Sequence, residues 1–402
     1  MTTATIPHRV SAHERASLAA GLRVAIFSDT WLPQVNGVTR TLDRLLNAIV
    51  TRGGEVRAFT TTDPGAKPDP RIVRYRSRPF WAYPQLRIAR PDRAWAIREL
   101  EAFKPTLVHA ASPFGIGLSA RAAARELGMP LVSSYHTSLS AYARFYHLGA
   151  LATPGWAFLR WFHNAGRRTY APTRAIEAEL VGHGFRNTAI WGRGIDVGRF
   201  SPSFRSAALR RELGAADDTF VVAYVGRVAL EKGLDTLVRA MHLAQARAGG
   251  RPLLFAIAGD GPWLDSCRAE APEGTAFTGM ISGDRLSAMY ASADLFVFPS
   301  VTDTFGNVLL ESMASGLPVL GADAPPTREL LGDGRGAIFP AGDPDALATA
   351  ILELAADAPR RARQAALGLT FAANQSWDVI FDDLILDYHR VTGARSSVAV
   401  SA

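Results

Sequence analysis

Apolar positions in this chain come in short blocks, and the blocks alternate between two periods. The segment Arg23–Phe27 is short and almost wholly apolar; a turn-rich stretch from Ser28 to Gly37 follows, and then a helical pattern over Val38–Val50. The order repeats: Glu55–Thr60, Leu107–Ala110 and Leu131–Tyr135 read as strands, Trp95–Phe103 and Gly117–Leu127 as helices. A second array opens with Phe220–Gly226 and runs through helix Leu234–Arg247, strand Leu253–Ala258, helix Asp284–Ala291, strand Leu295–Phe298, helix Asn307–Ser315 and strand Pro318–Gly321. Continuous apolar strands separated by helices predict parallel sheets covered on both faces.

The linker between the arrays falls near Val197–Ser206, at Pro202 and its serines. A last segment, Ser376–Arg390, carries Trp377, Ile380, Phe381, Leu384 and Tyr388 on one stripe, so it needs a surface to cover, and the first domain is the candidate. The expected layout is an extension over 1–21, domains over 22–198 and 199–373, a packing helix over 374–391 and a tail over 392–402.

Length supports this layout, since 402 residues suit two domains. No apolar run reaches the ~20 residues of a membrane-spanning helix. The first residues include His8, Arg9, His13, Glu14 and Arg15 and lack the apolar stretch of a secretory signal, so they read as a disordered extension on a cytoplasmic protein. The single cysteine, Cys267, excludes an intrachain disulfide and a cysteine-built metal cluster. Charge is uneven: residues 1–200 hold 27 Lys+Arg against 13 Asp+Glu, and residues 201–402 hold 17 against 24. A basic first half attracts anionic partners.

Ligands of open α/β sheets bind beyond the carboxyl ends of the strands, so the loops after the apolar runs hold the candidate chemistry. Gly226-Arg227 ends a strand, and Lys232-Gly233 opens a helix soon after; a guanidinium fork, an ammonium and a helix start together suit a pyrophosphate. After Leu295–Phe298 comes Asp303-Thr304-Phe305-Gly306-Asn307-Val308-Leu309-Leu310-Glu311, where amides of Gly306–Leu309 could hold phosphate oxygens and Asp303 and Glu311 could meet different parts of one extended ligand. The alternative for Asp303 is an N-cap. The loop Pro33-Gln34-Val35-Asn36-Gly37-Val38 has one glycine where a dinucleotide loop needs three. Tyr135-His136-Thr137 ends another strand, where His136 could donate a hydrogen bond or stabilise charge; His109 has a similar position. Asp343-Pro344-Asp345 reads as a helix cap, not a metal site.

Taken together, Asp303–Gly316, Arg227 with Lys232, Gly259-Asp260-Gly261-Pro262 and Ser28–Val38 resemble the retaining glycosyltransferases of family 4. Within that family, Trp31–Thr39, Ser134–Thr137 and Arg193-Gly194-Ile195-Asp196 look most like lipid-directed α-mannosyltransferases and sulfoquinovosyl- or glucosyl-diacylglycerol synthases. The resemblance implies the α/β fold called GT-B, two Rossmann-like doubly wound domains facing a central cleft. It implies that Arg227 and Lys232 neutralise the donor pyrophosphate beside Gly226, and that Glu311 binds the ribose. Phe305, Gly306, Asn307, Val308 and Leu309 line the donor, Gly37 lies by the β-phosphate, His136 near the sugar, and Thr278, Gly279 and Met280 beside the base. Asp303 stands where the family has a glutamate, a departure of one methylene. His136, Arg227, Lys232 and Asp303 are thus the catalytic candidates.

The implied reaction retains anomeric configuration, with no protein nucleophile, cofactor or required metal. GDP-mannose is the first donor choice and a UDP-sugar the second. The acceptor would be a lipid, lipid-linked group or polyol, met on the inner face of an anionic membrane; no nucleic-acid motif is present. Arg71–Arg93 holds seven arginines among Tyr75, Phe80, Trp81 and Tyr83, and Trp156–Phe162 precedes Arg167-Arg168, a pattern suited to a lipid surface. Competing readings are a soluble acceptor such as a polysaccharide precursor, a sugar-nucleotide epimerase, and a nucleotide-sugar-binding module.

Overall fold

A computed structural model describes residues 10–34, 36–80, 83–136 and 152–393. Val35, Trp81, Thr137, the first nine residues and the tail from 394 lie outside these, as do the side chains of Phe80 and Tyr83. The chain forms two compact units, the first ending at Arg193 and regaining the chain from Trp377, the second spanning Gly194–Ser376.

The first unit contains α1 (Ala12–Ala16), β1 (Arg23–Ser28), α2 (Gly37–Thr51), β2 (Glu55–Thr61), β3 (Ile72–Tyr75), a ribbon of β4 (Arg78–Phe80) and β5 (Tyr83–Ile88), then α3 (Arg93–Phe103), β6 (Leu107–Ala110), α4 (Gly115–Glu126) and β7 (Leu131–Ser134). It continues with α5 (Ala152–His163), β8 (Arg168–Ala171), α6 (Arg174–Gly182) and β9 (Thr188–Ile190). Its sheet is parallel in the order β3-β2-β1-β6-β7-β8-β9. One face packs Phe27 and Phe59, stacked at 4.5 Å, against Trp95, Leu100 and Ile116 of α3 and α4. Burial on both faces is why these strands read as unbroken apolar runs.

The second unit holds α7 (Ala207–Glu212), β10 (Phe220–Val225), α8 (Leu234–Arg247), β11 (Leu253–Ala258), α9 (Leu264–Glu270), β12 (Ala276–Gly279), α10 (Gly283–Ser292), β13 (Leu295–Phe298), α11 (Asn307–Ala314), β14 (Val319–Ala322), α12 (Pro325–Leu331), β15 (Ala337–Phe339), α13 (Pro344–Ala356) and α14 (Ala358–Ala373). Its sheet is also parallel, in the order β12-β11-β10-β13-β14-β15. Asp343 caps α13 by accepting the Ala346 amide at 2.9 Å.

The last helix, α15 (Trp377–Thr392), belongs to the first unit and lays Phe381, Leu384, Ile385 and Tyr388 on the core under α2. The buried Arg52 guanidinium meets Asp382 at 2.7 Å, and Arg15 meets the same carboxylate at 2.8 Å. That contact corrects the reading of residues 11–21 as a disordered extension. Ser11 closes a capping box on α1, Leu18 and Ala19 are fully buried, and the carboxylate that holds Arg15 comes from the far end of the chain. The unit boundary also differs from the expected one, because the Ile195 amide donates to the Gln375 carbonyl at 2.7 Å and ties residues from 194 onward to the second unit.

Candidate active site

In the second sheet, β10 lies between β11 and β13, so the chain leaves in opposite directions on its two sides. The loops beyond β10 and β13 therefore flank a topological switch point, the place where open α/β sheets bind ligands. Gly233 sits at φ +72°, and a Cβ there would lie 2.5 Å from the Pro299 carbonyl oxygen, so glycine lets the two loops press together. Thr302 adds a hydroxyl bond to the Glu231 carbonyl at 3.0 Å. The result brings Lys232 to Asp303, with Nζ 2.9 Å from both carboxylate oxygens.

Burial pushes the Asp303 carboxyl upward, but the Lys232 charge, the Lys232 hydrogen bond and one from Ser300 outweigh it and hold its pKa below the usual value. Asp303 is therefore an anion at neutral pH. Arg227 has a matching partner: its Nη1 lies 3.3 Å from Oε1 of the buried Glu231, and its carbonyl accepts the Tyr224 hydroxyl at 2.8 Å. The sequence showed two cations; the fold supplies a carboxylate for each. A diphosphate entering this cluster would have to compete with Asp303 and Glu231 for the same cations.

Helix α11 starts at Gly306, at φ +83° and with no side-chain cap. Asp303 is thus not an N-cap. The first-turn amides of Asn307 and Val308 have no intrahelical acceptor at such a start, which suits an anion. Leu309 departs from the expectation: its amide donates to the Gly306 carbonyl at 2.9 Å and its side chain is fully buried, as Phe305 nearly is. One turn further, the fully buried Tyr290 donates its hydroxyl to Glu311 Oε2 at 2.8 Å and fixes that carboxylate. The Gly226 amide donates to the Ala258 carbonyl at 3.0 Å and the Gly259 amide to the Gly279 carbonyl at 2.9 Å, which aligns the ends of β10, β11 and β12. Thr278 bonds the Gly279 carbonyl, and Met280 is 73% exposed.

In the first unit, His136 follows β7. Arg193 donates to its Nδ1 at 2.8 Å, and since a guanidinium only donates, the ring proton sits on Nε2, which reaches Ser134 Oγ at 2.8 Å. Ser134 in turn meets His109 Nε2 at 2.9 Å, and His109 Nδ1 meets the Tyr388 hydroxyl of α15 at 2.6 Å. Burial, then the Arg193 charge, hold the His136 pKa well below its ordinary value; burial alone holds His109 at about 3. Both rings are neutral, so His136 does not act as a cation, and a hydrogen bond from it to a sugar requires an exchange of partners. Gly37 opens α2 behind Asn36, whose side chain accepts the Thr39 amide at 2.9 Å.

Asp29 was not among the candidate residues, although it lies in the stretch Ser28–Val38. It sits buried at the end of β1, accepts the Ile116 amide at 2.9 Å and the Ser112 hydroxyl at 2.6 Å, and so closes the start of α4, whose own N-cap Phe114 provides no side-chain bond. Burial raises its pKa against the pull of those hydrogen bonds. Tyr290 and Glu231 were likewise missed: Tyr290 acts through Glu311, 21 residues on, and Glu231 stands inside the loop four residues after Arg227, where only the cations drew notice.

The arginines read as a lipid-facing set are largely engaged within the fold. Arg71 pairs with Asp69 at 2.7 Å, Arg74 donates to the Leu32 carbonyl at 2.6 Å, Arg87 to the Ser77 carbonyl at 2.9 Å, and Arg93 pairs with Glu126 at 2.7 Å. Arg168 pairs with Asp387 at 3.0 Å and Arg167 donates to the Val391 carbonyl at 2.8 Å, so both hold α15. Leu159 and Phe162 of α5 are buried, while Trp161 is half exposed.

Two parallel-sheet Rossmann-like units, the second with a cation–carboxylate cluster at its switch point, define the GT-B class of glycosyltransferase fold. Comparison with known proteins agrees. The family model described as Glycosyltransferase Family 4 matches residues 35–199, and that described as Glycosyl transferases group 1 matches 219–357. A GDP-mannose-dependent alpha-mannosyltransferase of Mycobacterium tuberculosis is 35% identical over 94% of this chain and 99% of its own. An alpha-monoglucosyldiacylglycerol synthase of Streptococcus pneumoniae is 29% identical over 83% of this chain and 78% of its own. Among solved structures, Anabaena Alr3699/HepE in complex with UDP and glucose superposes with a TM-score of 0.73 at 20% identity, over 91% of this chain and 98% of that one. The chain belongs to glycosyltransferase family 4 and is a glycosyltransferase.

Proposed function

We propose that this enzyme moves a hexose, mannose from GDP-mannose in the first instance and the sugar of a UDP donor in the second, onto a lipid or lipid-linked acceptor with retention of configuration. The observation that carries the reading is the Lys232–Asp303 and Arg227–Glu231 cluster packed beside the uncapped start of α11. Its cations stabilise charge that grows on the diphosphate as the anomeric C–O bond breaks, which is where such groups act most strongly. The departing phosphate oxygen takes the acceptor's proton as the acceptor oxygen bonds to the anomeric carbon, so no protein nucleophile, cofactor or metal enters the step. Glu311, fixed by Tyr290, takes the ribose hydroxyls, Asp303 the sugar hydroxyls, and Thr278–Met280 flank the base.

The relatives' names support the donor and the acceptor class: one is described as GDP-mannose-dependent, another as a diacylglycerol glycoside synthase. Among the described residues no helix is long and apolar enough to cross a membrane. We place the enzyme on the cytoplasmic face of an anionic membrane, held from outside the bilayer by its basic first half. Incubation of the protein with a panel of nucleotide sugars and extracted membrane lipids, followed by mass analysis, tests this. A new hexosylated lipid formed from GDP-mannose is the expected product; transfer only to water-soluble acceptors overturns the lipid reading, and donor turnover with no acceptor product overturns the transferase reading of the site.

A further inference from the structure

At the end of the first sheet remote from His136, where β7 and β8 begin, lies a concavity of about 370 Å3 lined by Arg121, Arg125 and Arg167 with Met129, Leu131 and Ala165. Arg121 and Arg125 stand one turn apart on α4, so they share a face, and like charges at that spacing destabilise a helix. The Arg121 guanidinium lies 3.5 Å from the centroid of the Trp161 ring, and its Nε is buried with no hydrogen-bond partner among the described residues. Arg167 is anchored by a neutral group, the Val391 carbonyl at 2.8 Å. Other arginines of this unit are matched with carboxylates, Arg52 with Asp382, Arg93 with Glu126 and Arg168 with Asp387. Among the described residues these three have no such match, and every aspartate and glutamate of the chain is among them.

Three guanidinium groups around one hollow, with no internal anion, are complementary to an external one. Their forked donors match paired oxyanion oxygens, and a phosphate has oxygens enough to meet three forks at once. The rim adds a second feature: Trp161 is 50% exposed beside Arg121, with the Phe158 ring 5.9 Å away, an apolar edge next to the cations. We propose that this hollow is a second anion site, separate from the one in the second unit, and that it binds a phosphate ester, either the headgroup of an anionic phospholipid or a free phosphate. Arg121 and Arg125 grip the phosphate, Arg167 closes the third side, and Trp161 sits where an acyl chain would begin. The site stands on unit one alone and does not depend on which donor or acceptor the enzyme uses.

Two binding measurements on the full chain test it. One titrates inorganic phosphate and follows thermal stabilisation; the other sediments the protein with phosphatidylcholine vesicles with and without phosphatidylglycerol. Arg125→Gln is read first, since that side chain is exposed and supports no neighbour, and Arg121→Gln with Arg125→Gln second, with circular dichroism confirming the fold. Affinity should fall about fivefold for each arginine removed, the factor expected for a basic residue near an anionic surface. Loss confined to phosphatidylglycerol vesicles identifies a lipid headgroup, loss confined to inorganic phosphate a free ligand, and loss in both the shared chemistry. Unchanged binding in both measurements for both variants overturns the site. Lys232→Ala is run alongside: if the second unit's phosphate site is wrong, that variant keeps its nucleotide affinity, whatever Arg125 shows.

Discussion

The two sheets place the same elements at the same switch points and treat them in opposite ways. In the first unit the chain turns from β1 to β6, and the helix after β6, α4, has its start filled by the chain's own carboxylate, Asp29. The helix after β1, α2, is closed as well, by Asn36 and Thr39 in a capping box. In the second unit the equivalent helices, α8 after β10 and α11 after β13, both begin at glycines with no side-chain cap, Gly233 and Gly306. Cations gather there, each paired with a carboxylate, and neither carboxylate caps a helix. A helix start attracts an anion wherever it occurs; what decides whether it becomes a ligand site is whether the protein supplies the anion itself.

The contrast extends to protonation. The first unit buries neutral histidines, His109 and His163, each held at about 3 by burial, together with His136. These values lie below that of an unfolded chain, about 6.5, so the unfolded state binds more protons as pH falls. Stability is fully present above 6.5 and is lost progressively toward 3; at pH 5 each of His109 and His163 removes about 2 kcal/mol. The only described histidine of the second unit, His242, is exposed. Acidification should therefore unfold the first unit first. Of the eight tryptophans, Trp263 alone belongs to the second unit, so tryptophan emission in urea follows the first. An emission transition that does not move between pH 7 and pH 5 would break this half of the comparison.

Next in size are the cations of the second unit. Lys232→Ala and Arg227→Ala should each lower transfer on the order of 10²-fold, about 3 kcal/mol, with the fold intact. Because Lys232 and Asp303 share one ion pair, Lys232→Ala combined with Asp303→Asn should cost less than the sum of the two. Steady-state rates for the four proteins decide it, and near-normal turnover in Lys232→Ala would remove the anion site from the second unit.

Asp29→Ala addresses the filled site. It leaves the Ile116 amide and the Ser112 hydroxyl without their acceptor and should lower the first unit's stability by about 2 kcal/mol. Nucleotide affinity, which we assign to the second unit, should stay as it was. A urea melt read through tryptophan and a calorimetric titration with GDP measure the two separately, and a parallel fall in affinity would show that the units are not independent in this respect.

What could be read from the sequence follows from how local each signal is. The strands Phe220–Val225, Leu253–Ala258 and Leu295–Phe298 are apolar along their whole length, so burial on both faces was written in consecutive residues. Thr188–Ile190 and Arg168–Ala171 were not seen, being too short or charged at one end. The loops bearing Arg227, Lys232 and Asp303 follow legible strands and were found, but not their pairing, which depends on the contact of Gly233 with Pro299. Asp29 was invisible because its partner lies 87 residues away, and residues 11–21 were misjudged because the carboxylate that orders them is 367 residues from Arg15.

The smallest effect tests how each unit uses a buried tyrosine. Tyr388 of the first unit ends a chain of neutral groups, through His109 and Ser134 to His136, and touches no carboxylate along it. Tyr290 of the second donates a hydrogen bond to Glu311, the residue we assign to the ribose. Tyr290→Phe keeps the ring in its fully buried place, packed against Phe200 and Phe296 at 5.7 and 5.6 Å, and removes one hydrogen bond to a charged group. Such a bond contributes on the order of 1–2 kcal/mol, and much of it here goes into orienting a carboxylate that the nucleotide must meet. Affinity for GDP should therefore fall about fivefold, with the maximal rate at saturating donor nearly unchanged, because the ribose to which we assign Glu311 is remote from the breaking bond. Glu311→Gln should show the same pattern more strongly. If Tyr290→Phe instead lowers the maximal rate and leaves GDP affinity alone, Glu311 works at the sugar, and its division of labour with Asp303 must be reversed.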